Sequence, residues 1–311
     1  MKIMVTGGAG FIGSHVTDLL VKTGHQVVVV DNLSTGRRSN LNPQAIFYEM
    51  DIRSAEMERV FAQEKPEVIC HHAAQMDVRR SMEDPLFDAD VNIIGSIKLA
   101  QLAINHGTRK FIHISSGGAI YGEPEYLPCD EAHPIKPLCH YGASKYTFEL
   151  YLHVFTSNFN LDYSVIRYPN VYGPRQDPHG EAGVVAIFTG RMLRGEQVTI
   201  NGSGEQVRDY VYVTDCARAN LMLLEQGSKH VYNLGYSIGT SVNEIFQKLK
   251  DITGYDKPAF YGPAKAGETF KIYLNARCAE QELGWRPSIP LEEGLKRTVE
   301  YFKEVEFSRH N

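Results

Sequence analysis

Seven residues near the amino end, Gly7-Gly8-Ala9-Gly10-Phe11-Ile12-Gly13, constrain this chain more than any other segment. They follow directly on a short strand-like run, Ile3 to Thr6, and open an amphipathic helical pattern over residues 11–23. The run satisfies G-x-x-G-x-x-G and, from Gly8, G-x-G-x-x-G. Backbone without side chains admits a ligand to close range, and the unpaired N–H groups and positive dipole end of the following helix then face an anion. A diphosphate fits that description. Asp31 closes the next apolar run 18 residues past Gly13, about where a carboxylate takes hydrogen bonds from an adenosine ribose and disfavours a 2′-phosphate. NAD is therefore expected in preference to NADP, with Arg37 and Arg38 read as a solvated loop.

The same alternation continues. Strand-like runs at Gln26 to Val30, Ile46 to Met50, Val68 to Cys70, Phe111 to Ile114 and Tyr163 to Arg167 are separated by helical stretches near 54–64, 86–107 and 143–158. That order predicts an α/β fold of the Rossmann kind, a doubly wound parallel sheet with helices on both faces. Between 168 and 207, and again after 236, Gly, Pro and short strands break the pattern, around helical stretches near 181–194, 214–226, 241–253 and 291–303. A smaller mixed α/β lobe is expected there, over the carboxyl ends of the strands. The expected division is 1–167 plus 208–236 for the NAD-binding domain and 168–207 plus 237–311 for a substrate lobe, with the ligand in the cleft between.

Composition narrows the class. With 311 residues, 43% of them hydrophobic and 22% charged, the chain can bury a large core. A formal charge of −5 without a long basic run gives no electrostatic reason to expect nucleic acid or an anionic membrane as partner. Apolar runs such as Val27 to Val30 fall far short of the ~20 residues of a membrane span, and no signal peptide is read at the N-terminus. Five cysteines, odd in number and without a C-x-x-C pair, fit a reducing cytoplasm. Cys70, His71 and His72 point to alternate faces of a strand and cannot easily ligate one ion, so no metal is expected.

Two segments fall where strands of such a sheet end. Asp51-Ile52 could hold the adenine amino group, and the small residues of His72-Ala73-Ala74-Gln75 could let backbone meet the cofactor. Tyr141 and Lys145 then open a helical stretch at i, i+4 spacing, on one face. A phenol of pKa ~10 is a poor base at pH 7; a neighbouring ammonium and a cationic nicotinamide both favour the phenolate. The turn Ser115-Ser116-Gly117-Gly118-Ala119-Ile120-Tyr121-Gly122 adds a hydroxyl, with Ser116 expected to bond the reacting oxygen.

The glycine loop, Asp31-Asn32-Leu33, Asn92, the serine turn, Tyr141 with Lys145, Arg167 to Pro174, Val207 to Val211 and Leu283-Gly284-Trp285 together resemble the extended short-chain dehydrogenase/reductase family. Within it they are similar to the UDP-glucose 4-epimerases, over nearly the whole chain. The resemblance implies a cycle without net redox change: Tyr141 takes the proton of the sugar 4-hydroxyl as hydride leaves C4 for NAD, and the 4-keto sugar turns and takes the hydride back on its other face. It implies cofactor contacts from Gly7, Gly10, Phe11, Ile12, Gly13, Asp31, Asn32, Asp51, Ile52, Ala73, Ala74, Gln75, Asn92, Tyr141, Lys145 and Tyr168. The UDP-sugar would meet Ser116, Tyr141, Asn170, Thr199, Asn201, Arg208, Lys265 and Glu268. It also implies a homodimer built on the long helices.

Departures from the family pattern bear on the reaction and the substrate. Relatives that dehydrate or decarboxylate carry an acid before the equivalent of Tyr121, whereas Gly117-Gly118-Ala119 has none, which favours epimerisation over 4,6-dehydration. Met76 and Asp77 replace a frequent lysine. Lys265 and Glu268 stand for arginine and aspartate, and Asn201 for an aromatic. Ile272, near the position that gates the sugar 2-substituent, leaves N-acetylglucosamine and glucuronate as alternatives to glucose. A dehydratase or oxidoreductase of the same fold, and a non-catalytic NAD sensor, are the other readings.

Overall fold

A computed structural model of the chain describes residues 1–179, 183–264 and 269–310, the last five of these by backbone alone. In chain order the strands are β1 (Lys2–Thr6), β2 (Gln26–Asp31), β3 (Ile46–Glu49), β4 (Val68–His71), β5 (Lys110–Ser116), β6 (Asp162–Tyr168), β7 (Asn170–Tyr172), β8 (Thr199–Asn201), β9 (Val207–Arg208), β10 (Tyr210–Tyr212), β11 (His230–Asn233), β12 (Thr240–Ser241) and β13 (Phe260–Gly262). Seven of them form one sheet in the order β11-β6-β5-β4-β1-β2-β3, every pair parallel. The chain winds outward from β1 through β2 and β3, then resumes on the other side at β4. The reversal falls between β1 and β4, so from their carboxyl ends the chain runs on to helices on opposite faces of the sheet, the place where such sheets bind ligands.

Both faces of this sheet are covered, which is why Val27 to Val30 reads as a continuous apolar run: all four are buried. Alternation of side chains along a strand divides them between two cores. Ile3 and Val5 of β1 join Val16, Leu20, Cys216 and Leu223 on one face, where the Phe11–Lys22 and Val213–Met222 helices lie. Met4 joins Phe61, Leu99, Phe148 and Leu152 on the other. A third core, with Phe188, Ile200, Phe246 and Leu295, belongs to the smaller lobe, whose strands form three two-stranded sheets, β7 with β10, β8 with β13 and β9 with β12.

Ala276, Ala279, Leu283 and Trp285, within the stretch expected to lie in the lobe, pack in the first core beside the large sheet. At β10, Val211 faces that core while Tyr210 and Tyr212 face the lobe's, so the strand is shared between the two parts. The stretch 86–107 is not one helix either. It divides into Pro85–Ala89, a π-helical turn over Asp90–Gly95 and Ser96–Asn105. A further helix, Val78–Glu83, is capped by the Asp77 carboxylate, which accepts from Arg80 N at 3.0 Å.

Candidate active site

The carboxyl end of β5 delivers Ser116, paired in register with Tyr168 of β6. The chain turns at once into the short helix Gly117–Ile120, whose neighbour is the long helix His140–Asn158. A Cβ on Gly117 would overlap Leu274, and one on Gly142 would overlap the Ala119 carbonyl oxygen. The two glycines thus allow the approach that sets Ser116 against Tyr141.

Electrostatics distinguish Tyr141 and Lys145 from an ordinary helix surface. Tyr141 retains some exposure as a residue, yet the crowding around its phenol pushes the pKa up to about 12; the Ser116 hydroxyl, bonded to it, is what pulls the value down. Lys145 is only 4% exposed. Burial pushes its ammonium down to about 8, opposed by the carboxylates of Glu149 and then Asp88. The expected depression of the phenol by Lys145 is not among the influences on it: burial, Cys139 and Asp88 raise its pKa, and only Ser116 lowers it. His71, His72 and His113 are held neutral by burial, His72 at about 3, and add no charge beside Lys145.

Polar groups behind the helix that bears Tyr141 and Lys145 hold it in place. The Asn92 side-chain oxygen accepts from Gln75 N (2.8 Å), and its amide donates to Gln75 O (2.9 Å), Asp88 Oδ1 (3.0 Å) and Ser144 Oγ (3.1 Å). The π-helical turn carries Asn92 into this position, joining the loop after β4 to the helix that bears Lys145. One turn beyond Lys145, Glu149 accepts from Arg167 at 2.6 and 3.2 Å, and Arg167 also donates to the Tyr121 hydroxyl at 2.9 Å. All of these side chains are buried, so the ion pair fixes the helix to β6 rather than decorating a surface.

The glycine loop lies at the crevice. Gly7 has φ +71°, and a Cβ there would stand 2.6 Å from Ala73 N, so the loops after β1 and β4 meet backbone to backbone. A Cβ on Gly13 would overlap the Gly7 carbonyl. Asp31 accepts from Ala9 N (3.0 Å) and Leu33 N (2.8 Å), which pins the loop and leaves each carboxylate oxygen with acceptor capacity. These features fit a dinucleotide, as does the Lys145 ammonium, which bonds no acceptor among the described residues. Asp51 is committed elsewhere. It accepts from Arg53 N, Nε and Nη2 and from Asn32 Nδ2, all within 2.9 Å, and is held down near about 2, so little capacity remains for an adenine amino group. Ile52 is buried beside it.

On the lobe side, Asn170 Oδ1 lies 3.9 Å from where a Gly118 Cβ would be, at the serine turn. Arg208 donates to the Val207 carbonyl (2.9 Å) and the Phe270 carbonyl (3.2 Å), and Thr199 and Asn201 lie on β8 alongside β13. Tyr168 is buried in the first core, its hydroxyl accepting from Asn220 at 2.6 Å. Lys265 and Glu268 lie outside the described residues. Ile272 is buried with Ile120, Tyr121 and Leu274 beneath the serine turn, not in an open wall. Asp209 was not anticipated from sequence: buried and pushed up to about 7, it accepts from Tyr236 N (2.9 Å) and Ser237 N (3.1 Å), fastening the loop after β11 to the strand that follows Arg208. Among the described residues, no helix is long and apolar enough to cross a membrane.

Comparison with known proteins places this geometry. The UDP-glucose 4-epimerase of Thermotoga maritima, solved with UDP-glucose, is 54% identical with a TM-score of 0.97, over 98% of this chain and 100% of that one. The UDP-glucose 4-epimerase of Thermus thermophilus, solved with NAD, is 41% identical with a TM-score of 0.92, over 97% and 99%. The UDP-glucose 4-epimerase of Mycolicibacterium smegmatis is 43% identical over 97% of this chain and 99% of its own length. The NAD dependent epimerase/dehydratase family matches residues 3–235. With the dinucleotide cradle, the serine turn and the Tyr141–Lys145 pair all inside that span, the chain belongs to the NAD dependent epimerase/dehydratase family.

Proposed function

We propose that the chain is an NAD-dependent 4-epimerase that interconverts UDP-galactose and UDP-glucose. The observation that carries the reading is the buried Lys145 ammonium, hydrogen-bonded to no acceptor among the described residues, one helical turn from a phenol that touches the Ser116 hydroxyl. A buried charge left unpaired is unfavourable unless the site uses it. Gly7, Gly10, Phe11, Ile12 and Gly13 would hold the NAD diphosphate and Asp31 the adenosine ribose, with Ala73, Ala74 and Gln75 backing the cofactor. Lys145 would bond the nicotinamide ribose. NAD, when bound, would supply a reversible hydride acceptor for the sugar C4. Ser116 would hold the 4-oxygen, and Tyr141 would take its proton and give it back. Asn170 and Arg208 would hold the diphosphate of the sugar nucleotide, and Thr199 and Asn201 its base.

The relation to the UDP-glucose 4-epimerases, at up to 54% identity, supports this sugar over N-acetylated or acidic ones. The absence of an acid in Gly117-Gly118-Ala119 argues against dehydration. The NAD part comprises 1–167, most of 208–236 and, from the packing, 276–285; the sugar-nucleotide part is the remainder. The enzyme acts in the cytoplasm as a homodimer. Leu150, Tyr151 and Val154, exposed on one face of the His140–Asn158 helix, form the apolar stripe on which two chains pair. The test is incubation with UDP-galactose, UDP-glucose, UDP-N-acetylglucosamine and UDP-glucuronate and separation of the products by anion exchange. UDP-glucose formed from UDP-galactose, and abolished by Tyr141→Phe, is the expected result. Loss of water or carbon dioxide, or no reaction with any of the four, overturns it.

A further inference from the structure

We infer that His230, Cys278 and Glu282 form a binding site for a zinc-class divalent cation, separate from the catalytic centre. His230 opens β11, the edge strand of the large sheet, while Cys278 and Glu282 stand at i, i+4 on the Arg277–Leu283 helix packed beside it. Their ligand atoms all lie within 4.8 Å of one another. His230 Nε2 is 3.2 Å from Cys278 Sγ and 3.8 Å from Glu282 Oε2. Tetrahedral zinc, with bonds of about 2.0 to 2.3 Å, sets its ligands about 3.3 to 3.7 Å apart, so both separations from His230 stand near the required spacing and the third pair needs at most a small adjustment.

Two further contacts hold the ligands in these positions. The Tyr232 hydroxyl donates to the same Glu282 oxygen at 2.8 Å, and the His230 ring lies against the Tyr232 ring with centroids 4.6 Å apart. Orienting partners of this kind are what tune ligating side chains. One imidazole, one thiolate and one carboxylate suit zinc rather than magnesium or calcium. Glu282 and His230 are each nearly half exposed, which leaves the fourth position to water. Binding replaces the thiol proton by the metal–sulfur bond and releases that proton to solvent. The site lies at the amino end of β11, where His230 pairs with Ser164, whereas Ser116 and Tyr168 mark the carboxyl ends. The metal would therefore clamp the Arg277–Leu283 helix to the sheet edge and take no part in epimerisation.

The test is titration of the chelator-treated, NAD-containing protein with Co²⁺, followed by visible and near-ultraviolet absorption. A sulfur-to-cobalt charge-transfer band with tetrahedral d–d absorption is expected, saturating at one metal per chain and reversed by Zn²⁺. Cys278→Ser should abolish the charge-transfer band, and His230→Gln should weaken binding by tenfold or more. Zn²⁺ should raise the Tm of the wild-type protein and not that of Cys278→Ser. The wild-type titration requires no variant to fold. Absence of the band in it, or a band or Tm rise that persists in Cys278→Ser, overturns the proposal.

Discussion

Replacing Lys145 by Met should lower activity steeply and stabilise the fold. The side chain is 4% exposed, and burial lowers its pKa from 10.5 to about 8 even with Glu149 and Asp88 opposing. At about 1.4 kcal/mol per pH unit, that fall corresponds to about 3 kcal/mol of penalty for keeping the ammonium in the native state. The native pKa lies below the unfolded one, so the penalty is fully present below pH 8 and fades as the pH rises toward 10.5, where both states hold the neutral amine. Met has similar volume and no charge, so the variant should be more stable by about 3 kcal/mol near neutral pH, the gap closing in alkali. The assay is urea denaturation of both proteins stripped of nucleotide, at neutral pH and above pH 10, since bound NAD would itself add stability. Epimerase activity should fall by about 10²- to 10³-fold, the usual cost of removing one preorganised polar or charged group beside the reacting atoms. A variant less stable than wild type at neutral pH, or a gap independent of pH, would refute the claim that this lysine is held at the expense of stability for catalysis.

Ser116→Ala removes the hydroxyl that pulls the Tyr141 phenol down, so kcat should fall and the limb of its pH profile that reports the phenol should move to higher pH; an unmoved limb would show that Ser116 does not act on the phenol. Gly13→Ala would press a Cβ onto the Gly7 carbonyl, backbone that no rotamer change can clear. NAD affinity, measured by equilibrium dialysis, should fall by about 5- to 150-fold, since overpacking costs about 1–3 kcal/mol. Leu150→Arg with Val154→Asp should convert the dimer to monomer in analytical ultracentrifugation, while a dimer that survives would place the interface elsewhere.

Much of this site is legible in one dimension because its chemistry is local. The loop from Gly7 to Gly13 must be contiguous to approach a diphosphate, and Tyr141 and Lys145 must be four apart to share a helix face. What sequence hides is what crosses the sheet. Glu149 can be seen one turn beyond Lys145, but its pairing with Arg167 depends on how β6 lies beside the helix. The period of residues 86–107 suits a single helix, and only the bonds from Asn92 to Gln75 and Ser144 show why a π turn interrupts it. The buried Asp209 looks from sequence like a charged surface position, because its partners are backbone N–H groups far along the chain. Cys278 and Glu282 share a visible i, i+4 spacing, while His230 lies 48 residues earlier and joins them only through the packing of β11.

The central claim is that C4 is oxidised and reduced again within one closed site. The most direct measurement is conversion of UDP-galactose deuterated at C4, with the product UDP-glucose analysed by NMR. Deuterium should be retained at C4, unlabelled substrate should gain none there in D₂O, and Tyr141→Phe should give no product. UDP-glucose carrying solvent-derived hydrogen at C4, or conversion that persists without the Tyr141 hydroxyl, would contradict the claim.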